Sequence, residues 1–319
     1  MQHYHPSNPP IAVVLVTLLL AGVGLATSAS QDVPAAAAPG QALQNDSPPT
    51  LEQIQALAAR TLENQQQNDL HLEQYERTER DRVRGSGVGI KNKNTLSRIV
   101  PTGIGVERVE LERDDISTDP TAREKQWRNV IRTLLANSNR DDPKVKKAYE
   151  RAAKRKRERT ELVAAISKAF RFHYMGRDNI QGRTVLEVVF EPDPTFRPSS
   201  RYASIYKHVR GRAWVDESSA QIVRLNAELF EDASFGGGLV AKVYRGSRLI
   251  LEQREVQPGV WMPTHTSYDL EGRLFLFPAN FHQQLEAGDY RRIGLPQEAL
   301  PLIRREHPEQ APEQVTSRR

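Results

Sequence analysis

The apolar positions of this chain change period several times, and each change marks an element. Residues 11–25 form an uncharged apolar run. Leu51, Ile54, Leu57, Ala58 and Leu62 then recur at helical spacing, behind Thr50 as N-cap and Gln53 as the far half of a capping box, which predicts a helix to about residue 67. From His71 the helical period is lost, and strand-like runs follow at 71–84, 88–100 and 103–113. Gly85, Gly87 and Gly89 punctuate the first turn, and Pro101 and Gly103 the second. A helical block opens at Asp119-Pro120 with Trp127, Val130, Ile131, Leu134 and Leu135 at helical spacing, breaks at 137–142, and resumes at Pro143 to about Lys168. These two helices predict a helical hairpin, residues 119–168, inserted into a sheet protein.

Beyond it the pattern is antiparallel in character, with runs at 170–176, 183–191, 208–216, 221–231, 248–256, 261–270 and 273–283, and a short eighth at 289–293. Turn chemistry at 216–219, 257–259 and Glu271-Gly272 joins them. With the three early strands the expected total is about 10–11. Residues 239–244 fit neither strand nor helix clearly.

The first apolar run gains its meaning from the segment on its C-terminal side. Ala26-Thr27-Ser28-Ala29-Ser30 supplies the small side chains of an export-signal cleavage site, so residues 1–30 read as a signal peptide and the mature chain as starting near Gln31. The sequence contains no cysteine. Disulfides, lipid attachment at a new N-terminal cysteine, thiolate metal sites and thiol catalysis are therefore all excluded. Residues 31–49 have the composition of a disordered linker. Residues 294–319, with Pro296, Pro301, Pro308 and Pro312 among charges, have that of a disordered tail. One folded region, 50–293, remains between them.

Within it, Phe170-Arg171-Phe172, Gly176, Gly182-Arg183, Phe190-Glu191-Pro192, Gly211-Arg212-Ala213-Trp214-Val215-Asp216 and Ile222-Val223-Arg224-Leu225 occur in an order that resembles an exported bacterial family. That family is similar to the periplasmic lipoprotein carriers of the LolA/LolB type and to related lipoprotein-sensing regulators. The resemblance covers residues 50–293 and is strongest over 170–283. It implies a mainly β fold with α, a curved antiparallel half-barrel with covering helices. A half-barrel leaves apolar inward side chains without a second sheet, so helices and an acyl ligand share that surface. On alternation alone the lining candidates are Val223, Leu225, Leu229, Leu249, Leu251, Phe275 and Phe277. The helical hairpin has no counterpart in the carriers, and none of their functional residues maps onto this chain.

Charge adds a second candidate. Residues 143–161 hold nine Lys or Arg against three Glu, a local +6, while the whole chain carries +5. Basic character is thus concentrated on one helix, where Lys154, Arg155, Lys156 and Arg157 form a candidate docking patch for an anionic membrane surface or an acidic protein partner. Nucleic acid is a poor fit for an exported chain. Enzyme signatures are missing: the histidines are scattered singly, and neither His-Glu-x-x-His, Gly-x-Ser-x-Gly nor a nucleotide fingerprint occurs. Arg84-Gly85-Ser86-Gly87-Val88-Gly89 lacks the Gly-Lys-Ser/Thr ending of a phosphate loop and reads as a hairpin turn. The sequence therefore points to a non-enzymatic envelope protein, periplasmic or otherwise exported, with no metal or cofactor, that binds a lipid, acyl chain or lipoprotein. The alternative is an envelope interaction or regulatory protein whose barrel is filled by its own side chains and whose basic helix docks a partner.

Overall fold

A computed structural model describes residues 47–200, 202–235 and 240–308. The expected signal peptide and nearly all of the expected linker lie outside the described residues, as does the end of the expected tail. Among the described residues, four α-helices and thirteen strands follow one another as α1 (Leu51–Leu72), β1 (Tyr75–Ser86), β2 (Lys93–Pro101), β3 (Val106–Arg113), β4 (Ile116–Ser117), α2 (Pro120–Ser138), α3 (Pro143–Ala169), β5 (Phe170–Ile180), β6 (Arg183–Pro192), a 3-10 helix (Ala203–His208), β7 (Val209–Asp216), β8 (Ile222–Leu229), β9 (Ala233–Phe235), β10 (Ala241–Val243), β11 (Arg248–Gln257), β12 (Val260–Leu274), β13 (Phe277–Arg292) and α4 (Pro296–Glu306).

All described strands belong to one open antiparallel sheet, ordered β4-β3-β2-β1-β13-β12-β11-β8-β7-β6-β5, with β9 and β10 attached through β12. This is the curved, mainly β half-barrel with helices that the sequence implied, with three short strands, β4, β9 and β10, added to its count. Two meanders, β1–β4 and β5–β13, are joined where β1 pairs β13. The helical hairpin leaves from β4 at one edge of the sheet and returns at β5 on the other. It is the connection between the two edges rather than a decoration of one loop.

Local chemistry places the helices. Thr50 and Gln53 form the reciprocal capping box at α1, Thr50 N donating to Gln53 Oε1 at 2.7 Å. Asp119 and Asp142 cap α2 and α3, each ahead of a proline in the first turn. Helix α1 extends to Leu72, a turn beyond its expected end.

The two faces of the sheet carry different cores. On the inner face Val83, Phe170, Phe190, Leu229, Leu249, Tyr268, Leu270 and Phe281 form the main cluster, with Leu162 and Ile166 of α3 against it. On the outer face at β2–β3, Val100 and Val109 are covered by Val130, Ile131 and Leu134 of α2 and by Ala299 and Ile303 of α4. Two helices thus lie outside the half-barrel. Residues 296–306, where composition predicts a tail, are a packed helix: Pro296 starts it, and Trp127 stacks on His307 beyond its end at 3.8 Å.

Two expected turns need correction. The β12–β13 hairpin turns at Phe275 and Leu276, not at Glu271-Gly272, because Leu274 pairs Phe277 and the ladder continues back through Gly272. That glycine serves close approach instead: a Cβ there would collide with the Lys242 carbonyl of β10. The short run 289–293 falls mostly within β13.

The sheet's edges are blunted. β4 has two residues. β5 carries a bulge between Tyr174 and Gly176, with Arg171 and Arg177 drawn into ion pairs with Asp193 and Glu217 at 3.2 and 2.9 Å.

Candidate ligand cavity

The inner face is apolar at one end and charged at the other. Over β1 and its neighbours, Arg77, Glu79 and Asp81 are buried. Arg77 and Arg108 reach Glu79 at 3.0 and 2.7 Å, while Lys93 and Gln283 hold Asp81. Burial alone would raise the Glu79 carboxyl, yet the two guanidiniums hold it below the usual range. Such a network is filled by its own partners.

From β5 to β11 the same face is apolar and incompletely filled. A cavity of about 150 Å³ lies between the sheet and helices α1 and α3. Its floor is Phe172 of β5, Val188 and Phe190 of β6, Val209, Ala213 and Val215 of β7, Ile222, Leu225 and Ala227 of β8, and Leu249 of β11. Its roof is Ile54, Leu57, Ala58, Thr61 and Leu62 of α1, with Ile166 of α3 and Tyr206 of the 3-10 helix at the side. Gly211 of β7 lets the floor residue Phe190 lie across it, since a Cβ there would collide with that ring and with the Asn226 carbonyl. Burial pushes the Tyr206 hydroxyl up to about 12, and it donates to Leu162 O at 3.2 Å. The Thr61 hydroxyl, buried in the roof, has no hydrogen-bond partner among the described residues, and neither does Gln65 Oε1 one turn further along the helix.

Helix α1 is attached unevenly. Its first half meets the sheet through the cavity-lining side chains and a small cluster of Ile54 with Leu186 and Val188. Its second half is tied by polar bonds: Asn64 Nδ2 donates to the Ser219 and Ala220 carbonyls at 2.9 and 3.0 Å, Asn68 Nδ2 to Gln221 Oε1 at 2.8 Å, and Glu73 pairs Lys156 of α3 at 3.3 Å. Asp69 pairs Arg159 of α3. Burial raises the Asp69 carboxyl from 3.8 to about 7, against the pull of Arg159 and a hydrogen bond from Gln65. Its folded value lies above its unfolded one. Protonation therefore favours the folded state, and this contribution is complete below about pH 4 and lost as pH rises through 7. The Asp69 contribution to unfolding free energy is expected to fall by roughly 1 kcal/mol per pH unit inside that window. Asp69→Asn is expected to remove that slope in urea titrations; equal slopes in the two proteins would refute the assignment.

The sequence candidates distribute unequally. Leu225 and Leu249 line the cavity. Leu229 is core, and Leu251 is buried opposite Leu225 without lining it. Val223 is displaced because β8 has an extra residue there: Trp214 pairs Arg224 and Val215 pairs Ile222, so Ile222 takes the inward position while Val223 packs with Val185 and Trp261. Phe275 and Phe277 lie outside, at the hairpin tip, more than half exposed. Of the basic candidates, Lys156 is drawn to Glu73 and Lys154 sits 3.9 Å from Glu158, while Arg155 and Arg157 are exposed. Sequence reasoning places Ile54, Leu57, Ala58 and Leu62 on one stripe without assigning them to a site. Val188 and Phe190 are hidden in a run that is apolar on both faces, whereas Phe172 sits in the cleanly alternating run Phe170-Arg171-Phe172-His173-Tyr174.

Among the described residues no group of three or more His, Asp or Glu is placed to hold a metal ion, and no helix is long and apolar enough to cross a membrane.

No protein-family model and no curated protein matches the chain. Among solved structures it is similar to a domain assigned to outer membrane lipoprotein sorting from Vibrio parahaemolyticus, at 11% identity over 74% of this chain and 93% of that one, TM-score 0.27. It is similar to a DUF1329 family protein from Desulfovibrio piger at 11% identity, 76% and 92% coverage and TM-score 0.28. A LolA superfamily protein from Nitrosomonas europaea is similar at 10% identity, 77% and 96% coverage and TM-score 0.25.

Proposed function

We propose that this chain is an exported, non-enzymatic envelope protein that holds a hydrophobic ligand, an acyl chain of a lipid or lipoprotein, beneath helix α1. The observation that carries this reading is the apolar cavity between α1 and strands β5–β8 and β11, whose described lining is hydrocarbon apart from the Thr61 and Tyr206 hydroxyls. A cavity near 150 Å³ lined by aliphatic and aromatic groups holds a ligand of roughly benzene size. A longer chain enters by lifting the first half of α1, which apolar contacts hold to the sheet, while the polar bonds of its second half act as the hinge. The Thr61 hydroxyl, without a partner among the described residues, offers a hydrogen bond to an ester, amide or hydroxyl of the ligand. The apolar run 11–25 and the small residues after it support export, and with it an envelope location.

Native mass spectrometry of the chain from Gln31 onward, purified from the envelope fraction, tests this directly when combined with organic extraction and titration by a fluorescent fatty acid. A stoichiometric acyl species, or saturable uptake of the probe, is the expected result. A clean apo mass with no uptake would overturn it and favour a docking role for α3.

A further inference from the structure

The tip of the β12–β13 hairpin breaks two rules at once. Phe275 and Leu276 form a two-residue turn, a position where Gly, Asn or Asp is favoured, and Phe275 adopts a left-handed φ of 52°. Neither residue gains burial in exchange: Phe275 is 52% exposed, Leu276 83% and Phe277 59%. Exposed Pro278 extends the run. Two other exposed apolar side chains lie at this level. Val240 accepts a backbone hydrogen bond from Phe275 at 3.0 Å, and Val88 sits on the β1–β2 loop, whose Gly87 lies against Pro278 and Ala279. An apolar patch drawn from three segments, opposed to both turn chemistry and burial, indicates a contact outside the molecule.

Its shape and its charges identify that contact. The apex of a two-stranded hairpin is convex and narrow, suited to entering a fluid interface. Aromatic and aliphatic side chains of this kind seat at the headgroup level of a bilayer. Directly behind the apex Lys242 and Arg273 are paired in register, and the Arg273 guanidinium donates to Phe275 O at 2.6 Å, which fixes the turn. Arg245, whose backbone N–H donates to Asp232 Oδ1 at 2.9 Å, adds positive charge nearby. The acidic groups at this level are Asp232, already paired with Lys242 at 2.8 Å, and Glu271, so the balance is positive. We propose that the Phe275–Leu276–Phe277 apex is an anchor that inserts into the interface of an anionic lipid bilayer, with Arg273 and Lys242 at the phosphates. This inference stands apart from the cavity, since none of the apex residues lines it.

The test uses the chain from Gln31 onward, so that the apolar run 11–25 makes no contribution, with vesicles of phosphatidylcholine alone or mixed with phosphatidylglycerol. The wild type is expected to float with the anionic vesicles and to be released by salt. Phe275→Ser combined with Leu276→Asn and Phe277→Ser is expected to reduce partitioning tenfold or more with an unchanged Tm, because these side chains are exposed. Leu276→Asp alone is expected to act in the same direction. In Leu276→Trp, brominated lipid is expected to quench the added indole. Lys154→Gln with Arg155→Gln, Lys156→Gln and Arg157→Gln is expected to leave partitioning within about twofold. Undiminished flotation of the apex variants would overturn the proposal, as would an unquenched indole, or loss confined to the variant in α3. Equal binding of the wild type to both vesicle types would do the same for the role of Arg273 and Lys242.

Discussion

Ile303→Ala is expected to lower the unfolding free energy by about 2–5 kcal/mol, a loss large enough to read as a clear shift of the urea midpoint. Ile303 is 0% exposed and belongs to the outer-face cluster with Val100, Val109, Val130, Ile131, Leu134, Ile293 and Ala299. Removing three carbons there loses their transfer free energy and leaves a hole that α2, held by the helical hairpin, closes only in part. Helix α4 has little intrinsic stability, since it is eleven residues long and Pro301 removes a backbone donor within it. It persists because it completes a core. Leu276→Ala, at an exposed site, serves as the control and is expected to stay within about 0.5 kcal/mol. A similarly small effect at Ile303 would mean that α4 is not integral to the fold.

Ala213→Phe is expected to weaken acyl-chain binding tenfold or more, about 1.4 kcal/mol, while leaving stability within about 1 kcal/mol of the wild type. Ala213 lies on the floor of the cavity between Val209 and Val215 on β7. A benzyl group there points under α1 and occupies volume that the ligand needs. Because it fills space already lined by hydrocarbon, it displaces no paired polar group. Titration with a fluorescent fatty acid reports the first effect and thermal unfolding the second. Equal affinity in the two proteins would place the ligand elsewhere.

Much of this architecture was legible because local signals agreed with the tertiary outcome. The capping box at Thr50, the prolines that open α2 and α3, and the antiparallel runs from Phe170 onward all reappear as elements. What escaped has particular causes. β4, β9 and β10 have two or three residues each, too few to display a period. Helix α4 was masked by its prolines, which composition reads as disorder although one of them starts the helix. Glu271-Gly272 has turn chemistry, yet Gly272 is required there for a third strand to approach. At the cavity, alternation found Leu225 and Leu249 but carried Val223 along with them, because a bulge shifts the facing by one residue. The charged half of the inner face was invisible for a related reason: Arg77, Glu79 and Asp81 look solvent-facing until their mutual pairing is known.

An open sheet has two borders at which unpaired backbone groups offer a template for growth. Here a strand arriving from another molecule meets the two-residue stub β4 and, beside it, a charged stretch of β3 where Gln126 Oε1 already accepts from Glu110 N and Thr118 N already donates to Leu111 O. At β5 it meets a bulged segment whose arginines are already engaged. Neither border presents the long, flat, apolar ladder that a cross-molecular β-fibre needs for nucleation. A thirteen-strand sheet that never closes on itself thereby gains protection against polymerisation that a closed barrel has by construction.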